Sequence, residues 1–173
     1  MLFQIITVVS ICFGLGAFIG APWVPAFKKD FDELFQLAGL KKGSRFIDLG
    51  SGDGKILLAA AQKGAIVTGY EINPVLWLIS WIRLLPYRNR ATVHLASYWG
   101  HSIQDYDVIW IFLIDRFMPK MQHKLTTELS AQTRIISYIF AFPDIQPVHK
   151  TYNSYIYTKK SFTNRAKSDK IET

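Results

Sequence analysis

The sequence predicts an α/β domain built on a mostly parallel sheet flanked by helices. Short apolar runs alternate with stretches of helical periodicity between residues 45 and 157, which is the pattern of successive βαβ units. Residues 107–114 contain seven consecutive apolar residues, as expected of a central strand covered on both faces. A glycine-rich turn at residues 50–54 separates the first strand from a helix, and this strand-turn-helix order is typical of nucleotide-binding α/β folds.

The elements follow from the changes in periodicity along the chain. Asn73 followed by Pro74 marks the start of one helix, because a cap residue and a proline at the first helical position favour helix initiation. Strands are predicted at residues 45–49, 65–70, 91–96, 107–114, 134–142 and 151–157, and helices at residues 30–40, 55–63, 74–85 and 119–129.

The composition limits the chain to one folded domain. With 173 residues, of which 50% are hydrophobic, it can bury one core, and we assign this domain to residues 24–160 and a polar, flexible tail to residues 161–173. A single cysteine, Cys12, excludes an internal disulfide and a cysteine metal cluster, and no metal site is predicted. The net charge of +7 would suit an anionic membrane, an acidic partner or nucleic acid, but the lysines are concentrated near both termini rather than on one face.

The N-terminal segment has the composition of a membrane anchor. Residues 1–24 carry no charged side chain and are apolar on all sides, and about 20 such residues span a bilayer. We predict a transmembrane helix at residues 1–23, with a cleaved signal peptide as the alternative. All positive charges follow the span, which places the rest of the chain on the cytoplasmic or equivalent side.

The glycine turn has the chemistry of a site for a cationic nucleoside. Gly50, Gly52 and Gly54 let backbone N–H groups approach a ligand closely. Asp48 and Asp53 would repel a pyrophosphate but would favour an ammonium group. S-adenosylmethionine combines an adenosine, a sulfonium and an amino-acid end, and we predict it as the cofactor.

The ends of the next two strands supply further candidate contacts. Glu71 closes the second strand at the carboxyl edge of the sheet, where it could accept hydrogen bonds from both ribose hydroxyls or, alternatively, act as a capping acid near Asn73. Ile72 would pack beside the adenine. The third strand ends in Ser97, Tyr98 and Trp99, which could contact the adenine or could simply belong to the core.

Taken together, these motifs resemble one small family. The order of the apolar span, Pro22–Pro25, Asp48–Gly54, Glu71–Pro74 and Phe140–Pro143 is similar to that of the membrane-anchored class I methyltransferases typified by the mitochondrial lysine methyltransferases of the ATP synthase c subunit and the adenine nucleotide translocase, with their prokaryotic relatives. The resemblance implies a Rossmann-like, seven-stranded sheet, S-adenosylmethionine as methyl donor and a protein lysine as acceptor.

The resemblance also implies roles for individual residues. Asp48, Gly50 and Gly52, with Ser51 between the glycines, would bind the methionine end, and Glu71 the ribose. The segment that contains Trp23 and Pro25 would fold over the site as part of a lid. The chain departs from the family pattern after the third strand, where family members usually carry Asp-Leu-Trp, and at residues 113–116, where a Gly-Val-Pro-like exit is typical.

Methyl transfer to a lysine requires a neutral amine held in line with the sulfonium methyl group. Because the lysine pKa is ordinarily about 10.4, a proton acceptor or a desolvating pocket has to assist. Asp115, just beyond the fourth strand, is the candidate for this role, although it could equally be a surface partner of Arg116. Phe142 and Trp23, together with Phe112, could form apolar or cation-π walls around the amine, or could be core residues.

Three other functions remain open at this stage. A nicotinamide oxidoreductase is disfavoured by the acids of the turn, and a membrane-tethered protein that binds S-adenosylmethionine without turnover is the main alternative. A nucleic-acid methyltransferase is disfavoured because the exit of the fourth strand lacks an Asn-Pro-Pro-aromatic run, so no nucleic-acid partner is expected. The expected partner is a protein that presents a lysine near the membrane, and the chain is expected to be a monomer.

Overall fold

A computed structural model of the chain describes residues 31–168. The predicted anchor at residues 1–23 lies outside this range, as do Trp23 and Pro25 of the predicted lid. None of the described helices is both long enough and apolar enough to cross a membrane.

A seven-stranded sheet with strand order β3-β2-β1-β4-β5-β7-β6 forms the centre of the fold. Strands β1 to β5 are parallel, and β7 is antiparallel to both of its neighbours. The sheet thus has the number of strands that the family resemblance implies. The strands are β1 Arg45–Leu49, β2 Ile66–Glu71, β3 Ala91–Leu95, β4 Val108–Ile111, β5 Arg134–Tyr138, β6 His149–Lys150 and β7 Ser154–Thr158.

Helices cover both faces of this sheet. The described helices are α1 Phe31–Leu37, α2 Lys55–Gln62, α3 Pro74–Leu84, α4 Met118–Glu128 and α5 Lys159–Ser168. Side chains of α1, α2 and α3 belong to one core cluster, and those of α4 and α5 to a second cluster on the opposite face. Trp110 of β4 is fully buried in the first cluster, where its ring meets that of Phe31 edge-on with 5.8 Å between the ring centroids.

The strand order reverses at β1, so the connections that leave β1 and β4 diverge at the carboxyl edge of the sheet. The chain leaves β1 towards β2 on one side, while β4 pairs with the other side of β1. In open α/β sheets, ligands bind at such a reversal of strand order. The fold therefore places the exits of β1, β2 and β4 around one candidate site.

Strand β4 is central, as predicted, but shorter than the apolar run suggests. All four of its residues are buried, in agreement with a strand covered on both faces. Its pairing ends at Ile111, opposite Leu49 of β1 and Ser137 of β5. Beyond this point β1 has turned away at Gly50, so residues 112–114 no longer have a partner strand on that side.

Strand β5 also ends earlier than predicted, at Tyr138 instead of residue 142. Ile139 has a φ of 70°, and the N–H of Phe140 donates to the carbonyl of Tyr138 at 2.9 Å, which closes a γ-turn. A β-branched residue rarely adopts this backbone conformation, so nothing in the sequence indicates the turn.

A helix covers the described part of the predicted polar tail. Helix α5 begins at Lys159 and continues through Ser168. Phe162 is buried and packs edge-on against Phe142 with ring centroids 5.3 Å apart. Phe162, in the predicted tail, therefore belongs to the second core cluster, and the domain boundary at residue 160 stays a prediction.

Candidate functional site

The turn between β1 and α2 depends on its glycines. Gly50, Gly52 and Gly54 have φ values of 101°, 53° and 76°, in the left-handed region that side chains disfavour. A Cβ atom at Gly54 would lie 2.9 Å from the Cβ of Ser80, so α3 also packs too closely for a side chain there. The spaced glycines thus serve both the shape of the turn and the approach of the neighbouring helix.

Glu71 holds the glycine turn against the end of β2. Its Oε2 accepts from the N–H of Gly52 and its Oε1 from the N–H of Asn73, each at 2.8 Å, and the residue is buried. Asn73 in turn caps α3 by accepting from the N–H of Val75 at 2.9 Å. Both roles predicted for Glu71 are compatible with its geometry, because a carboxylate oxygen that accepts one hydrogen bond keeps a second lone pair for a ligand.

Asp48 is a buried carboxylate with an unsatisfied oxygen. The residue is 2% exposed, and its Oδ2 has no hydrogen-bond partner among the described residues. Burial, and then the negative charges of Glu71 and Asp53, raise the pKa of Asp48 well above its usual range. A cationic ligand group would reverse this penalty, so the site fits an ammonium-bearing ligand and not a phosphate.

Asp53, the second acid of the turn, already has cationic partners. Its carboxylate forms ion pairs with Arg83 of α3 at 2.8 Å and with Lys55 at 3.2 Å, and Arg83 also donates to the backbone carbonyl of Asp53. These contacts tie the turn to α3. The composition of the turn does not distinguish the two acids, whereas the structure gives Asp53 cationic partners within the protein and gives Asp48 Oδ2 no hydrogen-bond partner among the described residues.

The exit of β3 joins the same edge. The N–H of Ala96 donates to the carbonyl of Glu71 at 3.0 Å, which brings the following 3-10 helix, Tyr98–Gly100, beside β2. Burial and the nearby negative charge of Glu71 raise the pKa of Tyr98, and its ring lies 4.8 Å from that of Trp99, centroid to centroid. Tyr98 is thus close enough to Glu71 for the carboxylate to affect its hydroxyl group.

The remaining predicted residues take different positions around this edge. Ile72, which follows Glu71 in the chain, is partly buried. Ser97 is the N-cap residue of the 3-10 helix, and its side chain makes no capping hydrogen bond. Ser51 is buried, and its hydroxyl has no hydrogen-bond partner in residues 31–168. The structure therefore brings the predicted residues from the exits of β1, β2 and β3 to one edge of the sheet.

Of the two positions predicted for Phe142, a wall around the amine or the core, the structure shows the second. Phe142 is a core residue: it is 2% exposed, its ring packs edge-on against Tyr157 at 5.2 Å between centroids, and its N–H donates to the Tyr157 hydroxyl at 3.0 Å. The γ-turn at Ile139 removes it from the strand edge where a wall around an amine was expected. Asp115 is exposed in a 3-10 helix, Asp115–Phe117, beyond β4, and its predicted role remains a prediction.

A group of aromatic side chains follows β4 and β5 instead. The rings of Phe112 and Phe140 are stacked with 6.3 Å between centroids, and Tyr138 meets Phe112 edge-on at 5.7 Å. Phe112 was among the predicted wall residues, whereas Tyr138 is 3% exposed and, like Phe142, is a core residue. The position of Phe140 after the γ-turn was not predicted, because the alternation at residues 134–142 predicts one continuous strand. The resemblance to the Phe140–Pro143 motif was the available signal.

These features define the class of protein. The strand order with an antiparallel seventh strand, the glycine turn after β1 and the carboxylate at the end of β2 are those of a Rossmann-like, class I methyltransferase. The chain belongs to the family of the ANTKMT methyltransferase domain, which matches it over residues 48–149.

Named relatives agree with this assignment. The human lysine N-methyltransferase of the ATP synthase c subunit is 32% identical over 154 residues, which cover 84% of this chain and 65% of the relative. Mouse adenine nucleotide translocase lysine N-methyltransferase is 34% identical over 132 residues, 73% of this chain and 56% of the relative. The chain thus spans less than two thirds of the length of either relative.

Among solved structures, an RNA methyltransferase from Salinibacter ruber in complex with S-adenosyl-L-homocysteine superimposes with a TM-score of 0.74. The match has 25% sequence identity and covers 78% of this chain and 93% of that protein. The described domain therefore has the fold of a methyltransferase whose structure includes the demethylated cofactor.

Proposed function

We propose that this protein is an S-adenosylmethionine-dependent methyltransferase that modifies a lysine side chain of a protein. The observation that carries the proposal is the buried, partly unsatisfied carboxylate of Asp48 beside a glycine turn fixed by Glu71, in a chain that belongs to a methyltransferase family. Two relatives named as protein-lysine methyltransferases favour lysine as the acceptor.

The residues present fit this cofactor. Asp48 would bind the ammonium group of the methionine end, which would supply the missing partner of its buried oxygen. The N–H groups of Gly50 and Ser51 already donate to the carbonyl of Tyr70, so they shape the turn, and the Ser51 hydroxyl is the free donor. The second lone pairs of the Glu71 oxygens would accept from the ribose hydroxyls.

We propose further cofactor contacts for residues that lie near Glu71 at the carboxyl edge of the sheet. Ile72 and Tyr98 flank Glu71 and would pack beside the adenine, with Ser97, Trp99 and Asn73 at the margin of that pocket. Gly52, Asp53 and Gly54 contribute through the shape and attachment of the turn. Asp53 acts there through its ion pairs with Arg83 and Lys55.

The chemistry demands positioning more than acid-base catalysis. S-adenosylmethionine supplies a methyl group on a positively charged sulfur, and an attacking amine must lie in line with it. Phe112 and Phe140 beyond β4 and β5 would exclude water around the amine and favour its neutral form by desolvation. Asp115 would orient the amine or accept a proton from it.

We propose that residues 1–23 anchor the protein in a membrane, with the folded domain on the cytoplasmic or equivalent side. The absence of charge from residues 1–24 and the positive charges that follow support this arrangement. The segment with Trp23 and Pro25 would then lie between the bilayer and the site as part of a lid. An acceptor lysine near the bilayer surface gains effective concentration from such an anchor.

Equilibrium binding tests the cofactor assignment. Titration calorimetry with S-adenosylmethionine should show binding to the full chain and a loss of at least about tenfold in affinity for Glu71→Ala, because both ribose contacts and the support of the turn are removed. Asp32→Ala is the matched control, since Asp32 is an exposed acid paired with Lys63 at 2.7 Å, and its affinity should not change. Equal affinities for the wild type and Glu71→Ala would contradict the assignment.

Labelled S-adenosylmethionine distinguishes lysine methylation from the two alternatives, a tethered protein without turnover and a nucleic-acid methyltransferase. A tethered protein without turnover would bind the cofactor but leave no labelled product after incubation with membrane and cytosolic proteins. A nucleic-acid methyltransferase, the activity named for the Salinibacter ruber relative, would label RNA. Lysine methylation predicts label in protein that survives nuclease and is found on lysine after hydrolysis.

A further inference from the structure

Helix α3 presents an apolar face to the outside of the domain. From Pro74 to Tyr87, which covers α3 and the 3-10 helix Leu85–Tyr87, every exposed side chain is apolar. Four of the large ones stand at positions i, i+3, i+4 and i+7 and form one stripe along the helix, and Ile79 borders it. This stripe consists of Leu78, Ile79, Trp81, Ile82 and Leu85, which are between 40% and 53% exposed.

Apart from the exposed Trp81, the side chains of α3 that carry polar atoms, Trp77, Ser80 and Arg83, lie on the inner side of the helix. Trp77 donates its indole N–H to the carbonyl of Val93 at 3.0 Å, and Arg83 pairs with Asp53. Ser80 is fully buried against Gly54. Because Leu76 and Leu84 are buried on the inner side, the helix is apolar on its outer side as well as on its inner side, unlike an ordinary surface helix.

The opposite side of the domain provides a comparison. Helix α4 packs on the other face of the sheet, and its exposed positions are mostly polar: Lys120, His123, Thr126 and Thr127. An exposed apolar stripe is thus a property of one side of the molecule and not of its helices in general. Contiguous apolar surface of this kind marks a binding site for a partner or a membrane.

We infer that the α3 stripe lies in the surface of an anionic lipid bilayer, as a second membrane contact separate from the predicted anchor. Trp81 is the side chain that best fits the boundary between headgroups and acyl chains. Arg88 and Arg90 follow the stripe directly, where they can meet anionic headgroups.

Two other occupants of the stripe, residues 1–24 of the same chain and a second copy of the protein, fit less well than a bilayer. Residues 1–24 are apolar on all sides, so packing them on α3 in water would still leave their outer surface exposed, whereas a bilayer covers both surfaces. A second copy packed on the stripe by two-fold symmetry would offer Arg88 and Arg90 no acid among the stripe residues, whereas anionic headgroups supply the opposite charge.

This contact would also position the candidate site. Helix α3 starts at Pro74, three residues after Glu71, so one end of the stripe is next to the carboxyl edge of the sheet. A domain that rests on α3 holds that edge close to the bilayer surface. The inference rests on the membrane location proposed above and adds the orientation of the domain.

Site-specific quenching tests the orientation. The full chain with Cys12→Ser would carry one fluorescent label at Ile82→Cys, at Leu78→Cys or, as the matched control, at His123→Cys on α4. Each protein would be placed as one copy per disc in nanodiscs of neutral and anionic phospholipids. Lipids that carry a nitroxide quencher should quench the labels at positions 82 and 78 at least about threefold more strongly than the label at position 123.

The outcomes separate the alternatives. If aqueous iodide quenches the label at position 82 as strongly as the label at position 123, the stripe faces water and the inference is wrong. If neither quencher reaches positions 82 and 78, protein covers the stripe and the inference is equally wrong. If the chain does not incorporate into the discs, the proposed anchor fails as well, and binding of S-adenosylmethionine to the same samples shows independently whether the cofactor assignment holds.

Discussion

At the scale of single residues, two aspartates five positions apart have opposite roles. Asp53 is neutralised by Arg83 and Lys55, whereas Asp48 is buried with one oxygen unsatisfied in the described part of the chain. A buried carboxylate without a cation lowers stability when it ionises. Such a cost at a candidate site is expected where a ligand, and not the protein, supplies the partner.

The raised pKa of Asp48 predicts how stability depends on pH. Between the ordinary pKa of an aspartate and its raised value in the fold, the folded protein holds more protons than the unfolded one, so stability falls as pH rises through this range. Asp48→Asn should remove that dependence and raise the free energy of unfolding of the ligand-free protein at neutral pH by about 1 kcal/mol or more. The same substitution should weaken binding of S-adenosylmethionine by roughly tenfold or more, because it removes a charge-assisted hydrogen bond.

Urea unfolding at several pH values, with titration calorimetry alongside, measures both effects. A variant that loses stability at neutral pH and keeps its affinity would show that Asp48 is a structural group.

At the scale of elements, the glycine turn and α3 form one unit. Arg83 lies 30 residues after Asp53 and reaches it from the last turn of α3. This pairing could not be predicted from the sequence, because it depends on how the helix packs against the turn. The cap formed by Asn73 and Pro74, in contrast, is local and was predicted correctly.

A double-mutant cycle tests this unit. Asp53→Asn and Arg83→Gln should each destabilise the fold, and their coupling energy should be about 0.5–1.5 kcal/mol for a partly buried pair. Affinity for S-adenosylmethionine should fall less in these variants than in Glu71→Ala. If Asp53→Asn weakens binding as much as Glu71→Ala while Arg83→Gln has no effect, Asp53 contacts the cofactor directly.

The γ-turn after β5 is a second element that the sequence did not indicate. Ile139 adopts a φ of 70° with 42% of its side chain exposed, a conformation that costs a β-branched residue about 1–2 kcal/mol. Ile139→Gly should therefore destabilise the protein less, by about that amount, than Ile66→Gly, since Ile66 is similarly exposed but lies in β2. Equal losses in urea unfolding would argue against strain at Ile139.

At the scale of the whole molecule, the parallel strands could be predicted from the sequence, whereas strand β6 and the packing of the C-terminal segments could not. The apolar run of β4 and the glycine turn carry strong local signals, and both are present where expected. Strand β6 has only the two exposed residues His149 and Lys150 and no apolar pattern. The burial of Phe142 and Phe162 depends on contacts between distant segments, which periodicity does not report.

Ligand binding to one edge of this sheet should stabilise the entire domain. S-adenosylhomocysteine at about 100 times its dissociation constant should add roughly 2.7 kcal/mol to the free energy of unfolding, seen as a higher Tm in a thermal-shift assay. NADH at the same concentration should leave the Tm unchanged. The reverse pattern would favour a nicotinamide oxidoreductase over a methyltransferase.

Direct detection of the product tests the central claim most directly. The purified full chain would be incubated with S-adenosylmethionine carrying an isotopically heavy methyl group and with membranes as a source of acceptors, and the membrane proteins would be examined by mass spectrometry. We predict heavy methyl groups on lysine side chains near the bilayer surface, and their loss with Glu71→Ala but not with Asp32→Ala. Cofactor binding without heavy methyl-lysine in any membrane protein, or label confined to RNA, would contradict the proposed function.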